Sequence, residues 1–169
     1  MRVTAVTRTL PIAPPPTQAE ADALFSGLPA EGTTGFTDLL AFLSAHRSAV
    51  LAALPWVAAE IAGNDGFEAM LGFVRRHGGS RLYIPHELRR FTLRVGQAVS
   101  ATTHRSLLRG AGPAALVETP SAWGIFLVLR RVAIEAALRE GLPHRVIAHR
   151  YGVTGRSLRK PLSSRAIIP

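Results

Sequence analysis

The chain has 169 residues and a mass of 18.1 kDa, enough for one domain, or two small ones, around a sizeable core. With 47% hydrophobic and 18% charged residues it is too apolar to be wholly disordered, and its uncharged stretches fall short of the ~20 residues of a membrane span. Zero cysteines exclude disulfides, thiolate metal sites and cysteine nucleophiles, and Met1 to Pro16 lack the apolar core of a secretory signal, so a cytoplasmic, non-membrane protein is expected.

The net charge of +9 is unevenly placed. Up to Val74, three bases face seven acids, which gives −4; from residue 75 onward, 17 bases face four acids, which gives +13. Lys160 is the only lysine; every other base is arginine. A positive half on a folded chain points to a polyanion, most often nucleic acid, the plainer reading being a solvated basic face.

In chain order, residues 1–36 read as a flexible tail, since Pro11 and Pro14-Pro15-Pro16 cannot sustain a helix. From Thr37, Leu39, Leu40, Phe42 and Leu43, then Val50, Leu51, Leu54, Val57 and Ile61, recur at helical steps, which predicts two or three short helices divided at Pro55. Asp65 followed by Glu68 has the spacing of a capping box, starting a helix that turns Phe67, Met70, Leu71 and Val74 inward and ends at Gly78-Gly79. Residues 37–79 thus form a helical unit. The β-prone run 80–85, Ser80 to Pro85, is too short to be stable alone and needs a partner strand.

Residues 86–121 read as an extended connection with one helix, because Leu88, Phe91, Val95 and Val99 keep helical spacing until Gly110-Ala111-Gly112-Pro113. Thr119-Pro120 then suits the start of a long helix ending before Gly141, with Trp123, Phe126, Leu127, Ile134, Ala137 and Leu138 as its core stripe. Arg130 falls within that stripe, where it snorkels, pairs with a carboxylate or points at a partner.

The most informative segment is Leu142 to Lys160, within residues 122–169. Pro143 can open a helix that turns Val146, Ile147 and Tyr151 inward. Gly152 can take the left-handed turn, and Thr154 can cap a second helix. Ala148, Gly152, Val153 and Leu158 fill the small, turn and apolar positions of a helix-turn-helix. On the second helix Arg156, Arg159 and Lys160 share a face opposite Leu158, and Pro161 limits it to about two turns. The candidate DNA-binding residues are Arg145, Arg150, Thr154, Arg156, Ser157, Arg159 and Lys160. Arg156 is placed to read bases; Arg145, Arg150 and Lys160 to hold phosphates; Arg159 could do either.

The run Gly78-Gly79-Ser80-Arg81-Leu82-Tyr83-Ile84-Pro85 and the C-terminal segment together resemble the Mor transcription activator family of Mu-like phages. The likeness covers roughly Leu54 to Pro85 and Arg130 to Lys160, with Arg131, Ile134, Leu138, Gly141, Ala148, Tyr151, Gly152 and Thr154 at matching places. It implies a mainly α chain: an N-terminal helical dimerisation domain, a short interdomain β-strand and a C-terminal helix-turn-helix domain. It also implies a homodimer whose strands, Leu82, Tyr83 and Ile84, pair across the two copies, and which binds a partly palindromic promoter in double-stranded DNA and recruits RNA polymerase. The stretch from His86 to Val128 is longer than the family's connection, and His86 stands where the family has a basic residue.

The expected function is therefore a sequence-specific DNA-binding transcription regulator, a phage or prophage middle or late promoter activator. The alternative is a phage-related oligomerisation or assembly module that binds an acidic partner or nucleic acid non-specifically. Enzyme chemistry finds little footing. The six histidines, at 46, 77, 86, 104, 144 and 149, form no His-Glu-x-x-His pattern, and no Gly-x-Ser-x-Gly elbow occurs. His144 and His149 would stand about 140° apart on a helix, poor joint ligands. No catalytic residue, metal or cofactor is expected.

Overall fold

The structure, a computed structural model, describes residues 27–159. It is mainly helical, with a small two-stranded antiparallel sheet. In chain order it runs α1 (Thr34–Ala45), α2 (Arg47–Ala53), α3 (Trp56–Asn64), α4 (Phe67–His77), β1 (Arg81–Tyr83), α5 (Leu88–Val95), α6 (Ala101–Gly110), β2 (Leu116–Glu118), α7 (Ala122–Arg139), α8 (His144–Tyr151) and α9 (Gly155–Arg159).

The first helices follow their sequence signals. Thr33 caps α1, its Oγ1 accepting from the Phe36 N–H at 3.2 Å. Pro55 divides α2 from α3 because the residue before a proline is pushed out of the helical region, and Leu54 sits at φ −67°, ψ 145°. The tail reading needs correction at its inner end: Leu28 and Phe36 are buried and α1 begins at Thr34. The proline-rich stretch lies outside the described residues.

The capping box at Asp65 does not form. Gly66, at φ +94°, occupies the cap position of α4, while Asp65 ends α3 and its carboxylate accepts from the Ser100 N–H at 3.2 Å. The inward side of α4 is as the spacing implies, with Phe67, Met70, Leu71 and Val74 buried.

The helix expected across 88–109 is two. Gly96 ends α5 in the left-handed region at φ +66°, and Ser100 opens α6, its Oγ accepting from Thr103 N–H. His104 ties the pair together: its ring stacks on Phe91 at 5.4 Å, and its Nε2 donates to the Pro85 carbonyl at 2.7 Å. The long helix also starts later than expected. Thr119 lies buried at the end of β2, and Ser121 caps α7 by accepting from Gly124 N–H.

The strand 81–83 has its partner in the same chain. Arg81 pairs with Glu118, Leu82 with Val117 and Tyr83 with Leu116, antiparallel, and Ile84 N–H extends the ladder to Ala115 O at 2.8 Å. Leu82 and Ile84 are buried against the core, and Tyr83 is exposed. The partner strand expected from a second copy for Leu82, Tyr83 and Ile84 is corrected on this edge: it is β2 of the same chain.

The expected domain borders also fall inside one core. Phe73, Leu82, Ile84, Phe91, Leu107, Ile125 and Leu129 belong to a single apolar cluster running from Leu28 to Val132. A second, smaller cluster joins Ile134, Ala137, Ile147 and Leu158. The division lies partway along α7, which serves both clusters. Ile125, Leu129 and Val132 point into the main body, Ile134 and Ala137 into the C-terminal head. Trp123 and Leu127, read as core, are 48% and 42% exposed. They lie on the head-facing side of α7, but the head covers only its C-terminal half.

Candidate nucleic-acid interface

The head is built from the end of α7, α8 and α9. Helix α7 stops at Gly141, φ +76°, where Gly141 N–H donates to Leu138 O and Leu142 N–H to Ala137 O, the paired bonds of a Schellman end. Pro143 follows and opens α8. Ile147 is fully buried in the small cluster, with Leu142, Ala148, Tyr151 and Val153 packed around it.

The turn between α8 and α9 is fixed three ways. Gly152 takes φ +58°, ψ 41°, a conformation that strains any residue with a Cβ. Val153 N–H reaches back to Ala148 O at 3.0 Å. Arg130, from α7, then lays its guanidinium across the end of α8: Nε donates to Tyr151 O at 2.8 Å, and Nη2 to Tyr151 O and to Gly152 O, the latter at 2.7 Å. These carbonyls have no partner within the helix, and a cation there also opposes the negative end of the helix dipole. Arg130 therefore neither snorkels nor meets a carboxylate; it binds main-chain carbonyls of its own chain.

Beyond the turn, Thr154 caps α9. Its Oγ1 accepts from Ser157 N–H at 3.3 Å and lies 2.8 Å from Ser157 Oγ. Leu158 is 8% exposed and seals the small cluster, while Arg156, about 200° away around the helix, is exposed. Arg145, Arg150, Thr154 and Ser157 are exposed as well. The Arg150 guanidinium lies over the Tyr151 ring at 5.9 Å. Among the described residues no ion pair joins Arg145, Arg150 or Arg156 to a carboxylate; the one ion pair at this end links Arg131 to Glu135. Arg159 closes α9, with only its backbone described, and Lys160 lies outside the described residues.

The arrangement exposes Arg145 and Arg150 on α8 and Arg156 on α9, whose other side is packed, about a turn held by main-chain and guanidinium bonds. Chemically it suits an anionic surface. Among the described residues no three potential metal ligands gather, and no helix is long and apolar enough to cross a membrane. Sequence reasoning missed Arg130 as the clasp of the turn. The available signal was its spacing from Ile134 and Ala137, which puts it on the head-facing side of α7 level with the end of α8. No protein-family model matches the chain, and comparison with curated proteins and with solved structures returned no match.

Proposed function

We propose that the chain is a sequence-specific DNA-binding transcription regulator that reads duplex DNA with α8, the turn and α9. The observation that carries this reading is that Arg145, Arg150 and Arg156 stand exposed on the head with no carboxylate partner among the described residues. Arg156, in the first turn of α9, is the base reader, its planar fork matching guanine O6 and N7 in the major groove. Arg145 and Arg150 on α8, with Lys160, hold the phosphates that set register. Thr154 and Ser157 add hydroxyl donors, and Arg159 serves bases or backbone. The likeness to the Mor family adds the form of the regulator: a cytoplasmic homodimer at a phage or prophage promoter, acting on RNA polymerase. Because β1 already pairs with β2 in the same chain, a second copy would have to meet its other edge or a different surface.

The test is enrichment of bound duplexes from random and phage-genomic fragments. The reading expects one enriched site, and a symmetric one with half-sites ~10 bp apart if the protein binds as a dimer. Arg156→Ala should then lose discrimination at one base pair, by ~1–3 kcal/mol. Equal affinity for enriched and random duplex at physiological salt would overturn the sequence-reading role, and a monomer by sedimentation at micromolar concentration would overturn the dimer.

A further inference from the structure

The C-terminal stretch of the sequence holds only about half of the positive charge. From residue 130 to the end, nine bases face two acids, +7, whereas residues 75–129 hold eight bases and two acids, +6. Both acids in that middle stretch are engaged, Glu118 by Arg81 at 3.0 Å and Glu87 by Arg90 at 2.9 Å. The other six arginines are exposed, and among the described residues none lies within ion-pair distance of a carboxylate. Two of them brace the fold: Arg75 donates to Pro29 O and Arg76 to Gln97 Oε1, both at 2.6 Å. Four remain, Arg89 and Arg94 on α5 and Arg105 and Arg109 on α6.

Their placement follows from the cores of the two helices. On α5, Phe91 and Val95 are buried. The opposite side carries Arg89 and Leu93, with Arg94 on the flank, its guanidinium 5.9 Å from the centre of the Tyr83 ring. On α6, Thr103, His104 and Leu107 are buried, and at about 100° per residue Thr102, Arg105 and Arg109 fall on the far side. The helices pack against each other and are joined by the His104–Phe91 stack. Arg105 Nε donates to Ala101 O and Arg109 Nη2 to Ser106 Oγ. Each bond holds the side chain along α6 and leaves other N–H groups for a ligand.

We propose that the outward arginines of α5 and α6 together form a second nucleic-acid surface, which grips the phosphodiester backbone of duplex DNA without reading its sequence. The planar guanidinium pairs with phosphate bidentately, where an ammonium acts as a point charge. The composition favours DNA over a protein. The centre of a protein–protein interface is depleted of charge, whereas here guanidiniums hold the outward sides of both helices; the exposed Tyr83 ring lies beneath Arg94, and Leu93 is 73% exposed among them. Between successive phosphates a duplex offers the C–H surface of deoxyribose, which suits that side chain. The surface is separate from α9 and does not depend on whether α9 reads bases.

The test compares the full chain with the variant Arg89→Gln/Arg94→Gln/Arg105→Gln/Arg109→Gln, titrating an enriched and a random duplex over a range of salt. Each phosphate contact contributes about 0.9 to the slope of log affinity against log salt. The slope should therefore fall by up to ~3.6, equally for both duplexes, with the ratio of their affinities unchanged. Arg156→Ala in parallel separates the two sites, since it alters that ratio if the head reads sequence and leaves the α5–α6 slope in place. An unchanged slope in a variant with wild-type circular dichroism and thermal midpoint would overturn the proposal. So would an effect confined to anionic phosphatidylserine vesicles. Should the fourfold variant not fold, the pairs Arg89→Gln/Arg94→Gln and Arg105→Gln/Arg109→Gln each predict up to half of the slope change, and no change in either overturns it.

Discussion

Arg130→Ala should loosen the head while leaving the body intact. The substitution removes every guanidinium bond to Tyr151 O and Gly152 O. A hydrogen bond from a charged group contributes ~1.5–3 kcal/mol. Because Arg130 is only half-buried and water can replace part of what is lost, the two carbonyls together should account for about 2 kcal/mol. At about 1.4 kcal/mol per tenfold, that is a roughly 30-fold rise in the open population of the head. Amide hydrogen exchange reads it directly: Ile147, Ala148 and Tyr151 on α8 should exchange about 30-fold faster, while Met70, Leu71 and Phe73 on α4 keep their rates. Arg130→Lys retains the charge near the end of α8 but not the fork that spans two carbonyls, so about half the effect should remain. Less than ~3-fold change at α8 would refute the clasp, and equal acceleration at α4 would refute a head that opens on its own.

Three further substitutions probe the packing that holds the interface. Ile147→Ala opens a cavity at a fully buried position of a cluster with few other members and should cost ~2–5 kcal/mol; calorimetry should then show the head lost ahead of the body, and one shifted transition would argue against two cores. Gly78→Ala places a Cβ 2.4 Å from the Val74 carbonyl oxygen, a main-chain atom that cannot move aside, so denaturant unfolding should show a loss of ~1–3 kcal/mol, and no loss would refute the close approach. Gly152→Ala meets nothing nearer than Arg130 Nη2 at 3.7 Å, so its cost should be the left-handed backbone alone, ~1–2 kcal/mol, read by the same denaturant titration; a gain in stability would refute that conformation.

What was legible in the sequence was what acts locally. Gly152, Thr154, Pro55 and Gly78 each constrain the backbone within one turn of themselves, and each ends, caps or divides a helix where its chemistry requires. Asp65 misled because an acceptor three residues before Glu68 is satisfied equally well by a distant donor, and Ser100 N–H supplies it. The partner of β1 was illegible for a related reason. Arg81 and Glu118 are 37 residues apart, and Leu116-Val117-Glu118 is too short to announce a strand by its own periodicity. Of the candidate interface, the turn and the Arg156–Leu158 opposition could be read from spacing, whereas the Arg130 clasp needed the crossing of α7 and α8. Reading residues 86–121 as a connection with one helix also hid that Arg89, Arg94, Arg105 and Arg109 stand on the outward sides of two packed helices.

The misread stripe on α7 bears most directly on how the interface is held. Two apolar stripes run along this helix: Ile125, Leu129, Val132 and Ala136 on one side, and Trp123, Leu127, Ile134 and Ala137 on the other. A helix apolar on two sides carries little net amphipathicity, so its burial cannot be assigned from pattern alone. The body takes up Ile125, Leu129 and Val132 of the first stripe and the head the C-terminal half of the second. The 18-residue helix that anchors in the main core thus continues unbroken into the small one, and head and body share a helix where a two-domain regulator would have a flexible linker. Arg130 stands on α7 between the two cores and fixes the far end of α8 to the same helix. The cations of the head are therefore carried against a helix anchored in the main core, an arrangement that fits the proposed binding of duplex DNA in a fixed register.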